Sequence, residues 1–411
     1  MRFPFQTAIF STLFQRSLYS TMFKTQVEKV NVNSFAFQKA LDSEFSEQNA
    51  TSIITNQDDQ HAIEQAAKWL KQGEAVGMPT ETVYGLAANA LDANAVAKIF
   101  AAKNRPQDNP LIIHVSSLEM LKSVLPDKTI PKVYLPVIHK YWPGPLTIIL
   151  PASSMIPTSV TCGHPTVAVR FPSHPVARSL IEACGFPLAA PSANSSGKPS
   201  PTLASHVYHD LQGRIPYILD GGSCDVGVES TVLDGLRTPP AILRPGGLTY
   251  EDISQVEGME KLQVYRKHFV DKELEMAPTT PGMKYRHYSP EAMVILIEGN
   301  HDAFDRICKE QLDIVQKSGV GISKIGVLRT TQDGQEAVWE TVSKWDDIEC
   351  ISLQMGRHGH PEEVARGMFR GLRDLDERTV DLIFVEGISE DREGMAVMNR
   401  LRKAAAKIIE A

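Results

Sequence analysis

A change of rhythm constrains this chain more than any single motif. From Asn56 to about residue 255, helix-period and strand-like apolar patterns alternate; residues 256–290 lose that alternation, and it resumes at Met293. Pro278, Pro281 and Pro290 punctuate the gap, and proline disfavours helix and central strand alike. The pattern predicts two α/β units joined by a bridge. In the first, a helix is expected over 57–72, with Ile63, Ala66, Ala67 and Leu70 on one face and Gly73 as its stop. A strand over 75–78 follows, then a helix capped by Asp92 that ends near Lys103 because Pro106 disfavours continuation. Further strands are expected at 111–115, 146–150, 166–171, 187–190, 216–220, 229–233 and 241–244, with a helix at 175–184 stopping at Gly185. The second unit reads as strand 293–297, helix 302–317, strand 325–328, an unpatterned stretch, helix 361–376, strand 382–385 and helix 393–409. The expected fold class is therefore α/β: a strand-rich twisted domain over 55–255, a linker over 256–291, and a smaller, doubly wound Rossmann-like domain over 292–411.

A length of 411 residues fits two or three domains at roughly 100–200 residues each. Forty-two basic residues against forty-nine acidic ones give a net charge of −7, so no chain-wide cationic field exists to hold nucleic acid. Five scattered cysteines, none in a CxxC pair, argue against a disulfide scaffold or a zinc ribbon and for a reducing compartment. No apolar run approaches the roughly 18 residues of a membrane span, so no membrane association is expected.

Met1 to Val27 contain no acid, carry Arg2, Arg16 and Lys24, and place Phe10, Leu13, Phe14 and Leu18 at helical spacing. An acid-free amphipathic leader reads as a mitochondrial transit peptide. Initiation at Met22 would remove Arg2, Arg16 and most of the apolar face, so two destinations are expected, mitochondrion and cytoplasm. Residues 28–54 read as a flexible extension.

Several motifs fail on inspection. Gly319-Val-Gly321 begins like a dinucleotide fingerprint, but Lys324 stands where the third glycine belongs and a strand follows instead of preceding. Ser195-Ser-Gly-Lys198 resembles the end of a P-loop without its first glycine or its final Ser/Thr. The pairs His206/His209 and His358/His360 lack a third ligand nearby in sequence, which favours solvated surfaces over a metal site. No metal site is expected.

What survives is a set of small polar groups and isolated cations at strand ends. Pro79-Thr-Glu-Thr-Val-Tyr-Gly-Leu86 closes the first strand, and Lys103-Asn-Arg105-Pro106 leads through Asn109 into a strand bearing His114. Arg170 ends the strand 166–171, Pro191 to Ser200 form a polar loop, and Arg244 ends another strand. Each residue has a bland reading, such as Lys103 complementing its helix end. Arg170 on an apolar strand is harder to dismiss, because a buried guanidinium needs an anionic partner.

Together these segments resemble the YrdC-type threonylcarbamoyl-adenylate synthase family, whose hallmarks are a KxR pair (Lys103/Arg105) and an SxN motif (Ser192/Asn194). PTETVYGL, AVRFP, the LRPG at 243–246 and Pro281–Pro290 also match, the last in the long form whose tyrosine-bearing linker leads to a Rossmann-like domain. The resemblance implies that L-threonine, bicarbonate and ATP give threonylcarbamoyl-AMP and pyrophosphate, with Mg2+ accompanying ATP. A tRNA-modifying threonylcarbamoyltransferase complex would then take the product. It implies a catalytic set of Lys103, Arg105, Ser192 and Asn194. ATP contacts would come from Arg105, Asn109, Thr166, Ser192, Ser200, Arg244 and Tyr288, and threonine contacts from Thr82, His114, Arg170, Ala190 and Ser230. Tyr285 and Tyr288, interleaved with Lys284, Arg286 and His287, read as an RNA-stacking strip or an exposed spacer; the resemblance implies a third role, a lid over the ATP cleft with Tyr288 as its nucleotide contact. The rivals are an RNA-binding module of the same fold, with at most weak RNA contact, and a related carbamoyltransferase with a different acyl group.

Overall fold

A computed structural model describes residues 23–40, 44–271, 274–275, 279, 287–299, 301–331, 339–345 and 347–410. Residues 1–22 of the leader and the linker residues Lys284, Tyr285 and Arg286 lie outside the described residues, whereas the last leader residues, Gln26 and Val27, belong to the first strand of the fold.

The first domain is built on one mixed sheet of eleven strands. In spatial order they are Gln26–Lys29, Tyr217–Asp220, Val76–Met78, Gly85–Asn89, Leu188–Ala189, Ile112–His114, Thr166–Arg170, Leu146–Pro151, Thr231–Asp234, Ala241–Arg244 and Gln263–Val264. Helices Gln57–Lys71 and Pro175–Cys184 cover one face, burying Ile63, Leu70, Leu180 and Ile181. Helix Ala93–Lys103 covers the other with Val96, Ile99 and Phe100, which pack on Ile113, Ile148 and Val169. Each such side chain contributes about 1.5–3 kcal/mol by leaving water. Local chemistry sets the helix starts: Asn56 accepts from the amides of Asp58 and Asp59, and Asp92 from that of Asn94.

Two expectations about segments need correcting. Residues 28–54 are not a loose extension: Gln26–Lys29 pairs in parallel with Tyr217–Asp220, and Phe35–Gln38 pairs with Thr51–Ile54 as an antiparallel hairpin. Val30 and Phe35 are buried among the helices of that face, so tertiary burial orders a segment too polar to show a pattern by itself. The start of the linker also belongs to the first domain, because Val256, Met259, Leu262 and Val264 lie in its core and Gln263–Val264 adds an edge strand.

The second domain has a six-stranded sheet ordered Glu340–Trp345, Ile348–Arg357, Lys324–Thr331, Leu382–Glu386, Met293–Glu298, Lys407–Glu410. All pairings are parallel except that between the first two. Alternation along Met293–Glu298 explains the double winding. Ile295 and Ile297 face helix Phe304–Lys317, while Val294 and Leu296 face helices Pro361–Glu377 and Gly394–Ala404. The expected helix over 393–409 is shorter: it ends at Ala404, and Lys407–Glu410 becomes a strand because β-branched Ile408 and Ile409 complete the sheet edge. The unpatterned stretch supplies the hairpin Glu340–Trp345 and Ile348–Arg357, whose outer strand is largely exposed and so lacks an apolar face.

The domains share a core. Val83 and Val228 of the first lie in one apolar cluster with Tyr288 and with Phe369, Leu372 and Val397 of the second. Gly227 is required there: a Cβ on it would lie 2.3 Å from the Cα of Arg366, and its φ is +79°.

Candidate active site

Sheet register gathers the site. His114 is paired with Arg170, Arg170 with Thr147 on its other side, and Val232 with Arg244, so side chains from four strands reach one edge. His114, Arg170 and Arg244 line one cavity at that edge. Of the expected residues, Thr82, Lys103, Arg105, His114, Arg170, Ala190, Ser192, Asn194, Ser230, Arg244 and Tyr288 line it.

The KxR pair and the SxN loop are one hydrogen-bonded unit. Lys103, 1% exposed, donates from Nζ to the carbonyls of Ser192 and Asn194, the latter at 2.5 Å, and to Asn194 Oδ1 at 3.3 Å. Ser192 Oγ donates to the same Oδ1 at 2.6 Å, and Asn194 Nδ2 donates to the carbonyls of Ser195 and Lys198. An ammonium has three donors, and here they meet three loop acceptors. Lys103 thus fixes the loop and sends its charge into the cavity across it. Burial, with Arg105 nearby, holds its pKa well below the usual lysine range. Arg105 Nη2 bonds the carbonyl of Asn109 at 3.2 Å, and burial lowers its pKa to about 10, leaving it charged.

Arg170 is held on three sides. Its Nη1 donates to Thr82 Oγ1 at 2.7 Å, its Nη2 lies 2.7 Å from Glu81 Oε1, and its Nε reaches the Gly144 carbonyl at 3.4 Å. A guanidinium carries five N–H donors, so this cradle leaves donors for an incoming anion. Burial pushes the Glu81 carboxyl up, but the Arg170 charge and hydrogen bond outweigh it and the group stays ionised. Arg244 donates from Nη2 to the Ser230 carbonyl at 2.8 Å and to Ser230 Oγ at 3.2 Å; that hydroxyl also bonds Thr147 Oγ1. Burial and the neighbouring arginine lower His114 to about 3, and burial with the Arg105 charge lowers His287 to about 4, so both rings are neutral at physiological pH.

Three expected residues stand outside the lining. Ser200 is fully buried and donates to Glu229 Oε1 at 2.6 Å. Asn109 uses its carbonyl to hold Arg105. Thr166 pairs with Pro151 at the far end of the Arg170 strand, about 13 Å away at a strand's rise per residue.

Sequence reading missed Glu81, Glu229 and the arginines of the second domain. Arg373 donates to the Pro199 carbonyl and lies 2.9 Å from Asp210 Oδ2, which also accepts the Ser195 amide at 2.9 Å. Arg400, fully buried, donates from Nε to Glu229 Oε2 at 3.0 Å and also bonds the Pro245 carbonyl. The Tyr288 hydroxyl also bonds Glu229, and its ring packs 5.2 Å from that of Phe369. Helical spacing with Ala396, Val397, Leu401 and Ala404 puts Arg400 on a buried stripe, a signal readable in advance.

Sequence and structure comparisons agree with this geometry. Residues 68–246 match the family described as "Telomere recombination", and residues 248–406 the family described as "Threonylcarbamoyl-AMP synthase, C-terminal domain". The chain is 45% identical to the threonylcarbamoyl-AMP synthase of Schizosaccharomyces pombe over 94% of this chain and 99% of that one. With the Pyrococcus abyssi threonylcarbamoyl-AMP synthase it shares 46% over 83% and 93%. The crystal structure of P. abyssi Sua5 complexed with L-threonine superposes with a TM-score of 0.75 at 40% identity, covering 94% of this chain and 99% of that one. With a family model matched on each domain and 45% identity over 94% of its length, this chain belongs to the two-domain threonylcarbamoyl-AMP synthase family.

Proposed function

We propose that the chain condenses L-threonine, bicarbonate and ATP into threonylcarbamoyl-AMP and pyrophosphate. The supporting observation is the gathering of Lys103, Arg105, Arg170 and Arg244 around one cavity, a charge pattern suited to a triphosphate and a carboxylate held together. Threonine's amine and bicarbonate give a carbamate and water. A carbamate oxygen then attacks the α-phosphorus, and the bond to the departing pyrophosphate breaks. No covalent enzyme nucleophile is needed. The carbamate is short-lived, so positioning dominates, and it can supply up to about 7–11 kcal/mol in ideal cases.

In this reading Arg170 binds threonine's carboxylate with its remaining donors, beside Thr82, His114, Ala190 and Ser230. Arg105, Arg244 and the Lys103-braced loop of Ser192 and Asn194 stabilise charge on the phosphates. Tyr288 closes the nucleotide side. Asn109 and Ser200 act through Arg105 and Glu229, and Thr166 has no contact that supports an ATP role. The carboxylates at hand are engaged: Glu229 by Ser200, Arg400 and Tyr288, and Glu81 by Arg170. They do not fit a Mg2+ held by the protein; Mg2+ enters on the phosphate oxygens, as part of the substrate.

The product is a reactive mixed anhydride, consistent with hand-over to a tRNA-modifying transferase. No described helix is long and apolar enough to cross a membrane, and a dual mitochondrial and cytoplasmic distribution follows if the leader acts as a transit peptide. Pyrophosphate release with threonine, bicarbonate and ATP omitted in turn tests the reaction. Each omission should abolish release; release that ignores threonine would overturn it.

A further inference from the structure

The loops at the carboxyl ends of the second sheet's parallel strands bring together three metal-ligand side chains that the adenylation site does not use. His301 follows strand Met293–Glu298, His358 follows Ile348–Arg357, and Glu386 ends Leu382–Glu386. One ligand atom from each lies within 4.8 Å of the others. Beyond Met293–Glu298 the chain passes to the helix on one face, and beyond the other two strands to helices on the opposite face. That divergence makes the place a topological switch point, where open α/β sheets bind ligands.

The carboxylate is built in. Glu386 is 3% exposed, and its Oε2 accepts the Thr330 amide at 2.6 Å and the Thr330 hydroxyl at 2.9 Å. Its Oε1 bonds His301 Nδ1. No lysine or arginine pairs with it among the described residues; beyond Thr330 its partner is the His301 imidazole, whose ring centroid lies 5.2 Å from that of His358. His301 Nε2 is buried without a partner. Buried anionic and lone-pair groups need a compensating cation or donor. His358 is exposed, and its backbone amide bonds the Thr331 carbonyl at 2.8 Å, which holds the loop against the sheet.

We propose that His301, His358 and Glu386 form a binding site for one divalent transition-metal cation of the Zn2+ class. Two imidazoles and a carboxylate are the donor set such ions favour, a fourth position being taken by water or a ligand. Thr330 orients the carboxylate, as outer-shell partners do for metal ligands. The ion would tie three loops together, well apart in sequence. That separation is why His358 and His360 alone read as a solvated pair: the missing ligands come from residues 301 and 386.

Full-length protein stripped with EDTA should be titrated with Co2+ alone, reading visible d–d absorption. The expected result is one equivalent bound in a four- or five-coordinate spectrum, displaced by Zn2+. His358→Ala should weaken Co2+ binding by at least about tenfold while leaving pyrophosphate release unchanged. His358 is exposed, so its loss spares the fold; Glu386→Gln, which keeps the Thr330 hydroxyl bond in reach, is the second variant and should weaken binding similarly. Absence of a Co2+ spectrum, or equal affinity in wild type and His358→Ala, overturns the proposal.

Discussion

Arg400 of the second domain and Glu229 of the first meet at 3.0 Å with neither side chain more than 9% exposed. The pair joins the domains directly beneath the cavity, because Glu229 lines it and also anchors Ser200 and Tyr288. Burial would raise the Glu229 carboxyl, but the Arg400 and Arg244 charges bring it to about 2.

Removing one partner of such a pair leaves an uncompensated buried charge and costs about 3–5 kcal/mol. Arg400→Met should therefore lower the chemical-denaturation midpoint markedly. Arg400→Met combined with Glu229→Gln should recover part of that loss. A double variant no more stable than Arg400→Met would contradict the coupling.

Arg170 and Tyr288 should separate the two substrates. Charge-assisted hydrogen bonds are worth about 1.5–3 kcal/mol each, so Arg170→Gln should raise the threonine KM by about ten- to a hundredfold and leave that for ATP nearly unchanged. Tyr288→Ala should weaken ATP use far more than threonine binding. Equal losses for both substrates in either variant would argue against the assignment.

Lys103→Met should remove the brace of the Ser192–Lys198 loop while preserving side-chain length. Amide exchange across residues 192–198 should accelerate, and pyrophosphate release should fall by at least about a hundredfold, the scale of losing a transition-state donor. Unchanged exchange with lost activity would mean that Lys103 acts on substrate alone.

His114, His206 and His287 are lowered to about 3, 3 and 4, burial being the largest cause for each. Unfolding restores the ordinary value near 6.5, so the unfolded chain binds more protons below that pH. Their contribution is fully present above about pH 6.5 and is lost progressively as pH falls toward 3–4. Denaturation midpoints should decline over that window, and His206→Gln should flatten the decline.

Elements with a local signature were legible in the sequence. The helix after Asn56, the Asp92 cap, the stop at Gly185 and the strand-end cations fell where pattern and turn chemistry put them. Segments that depend on distant partners were not. Gln26–Lys29 is a strand only because Tyr217–Asp220 lies beside it, and Lys407–Glu410 is one because Met293–Glu298 has an open edge. The site shows the same division: Arg170 was legible as a charge on an apolar strand, whereas Glu81 becomes meaningful only once the fold puts it against that guanidinium.

The central claim is that one chamber holds nucleotide and amino acid together. A crystal structure with threonine, bicarbonate and a non-hydrolysable ATP analogue tests it most directly. The expected density places threonine's carboxylate on Arg170 and the phosphates between Arg105 and Arg244 within the same cavity. Either ligand bound outside that cavity, with those three side chains untouched, would contradict it.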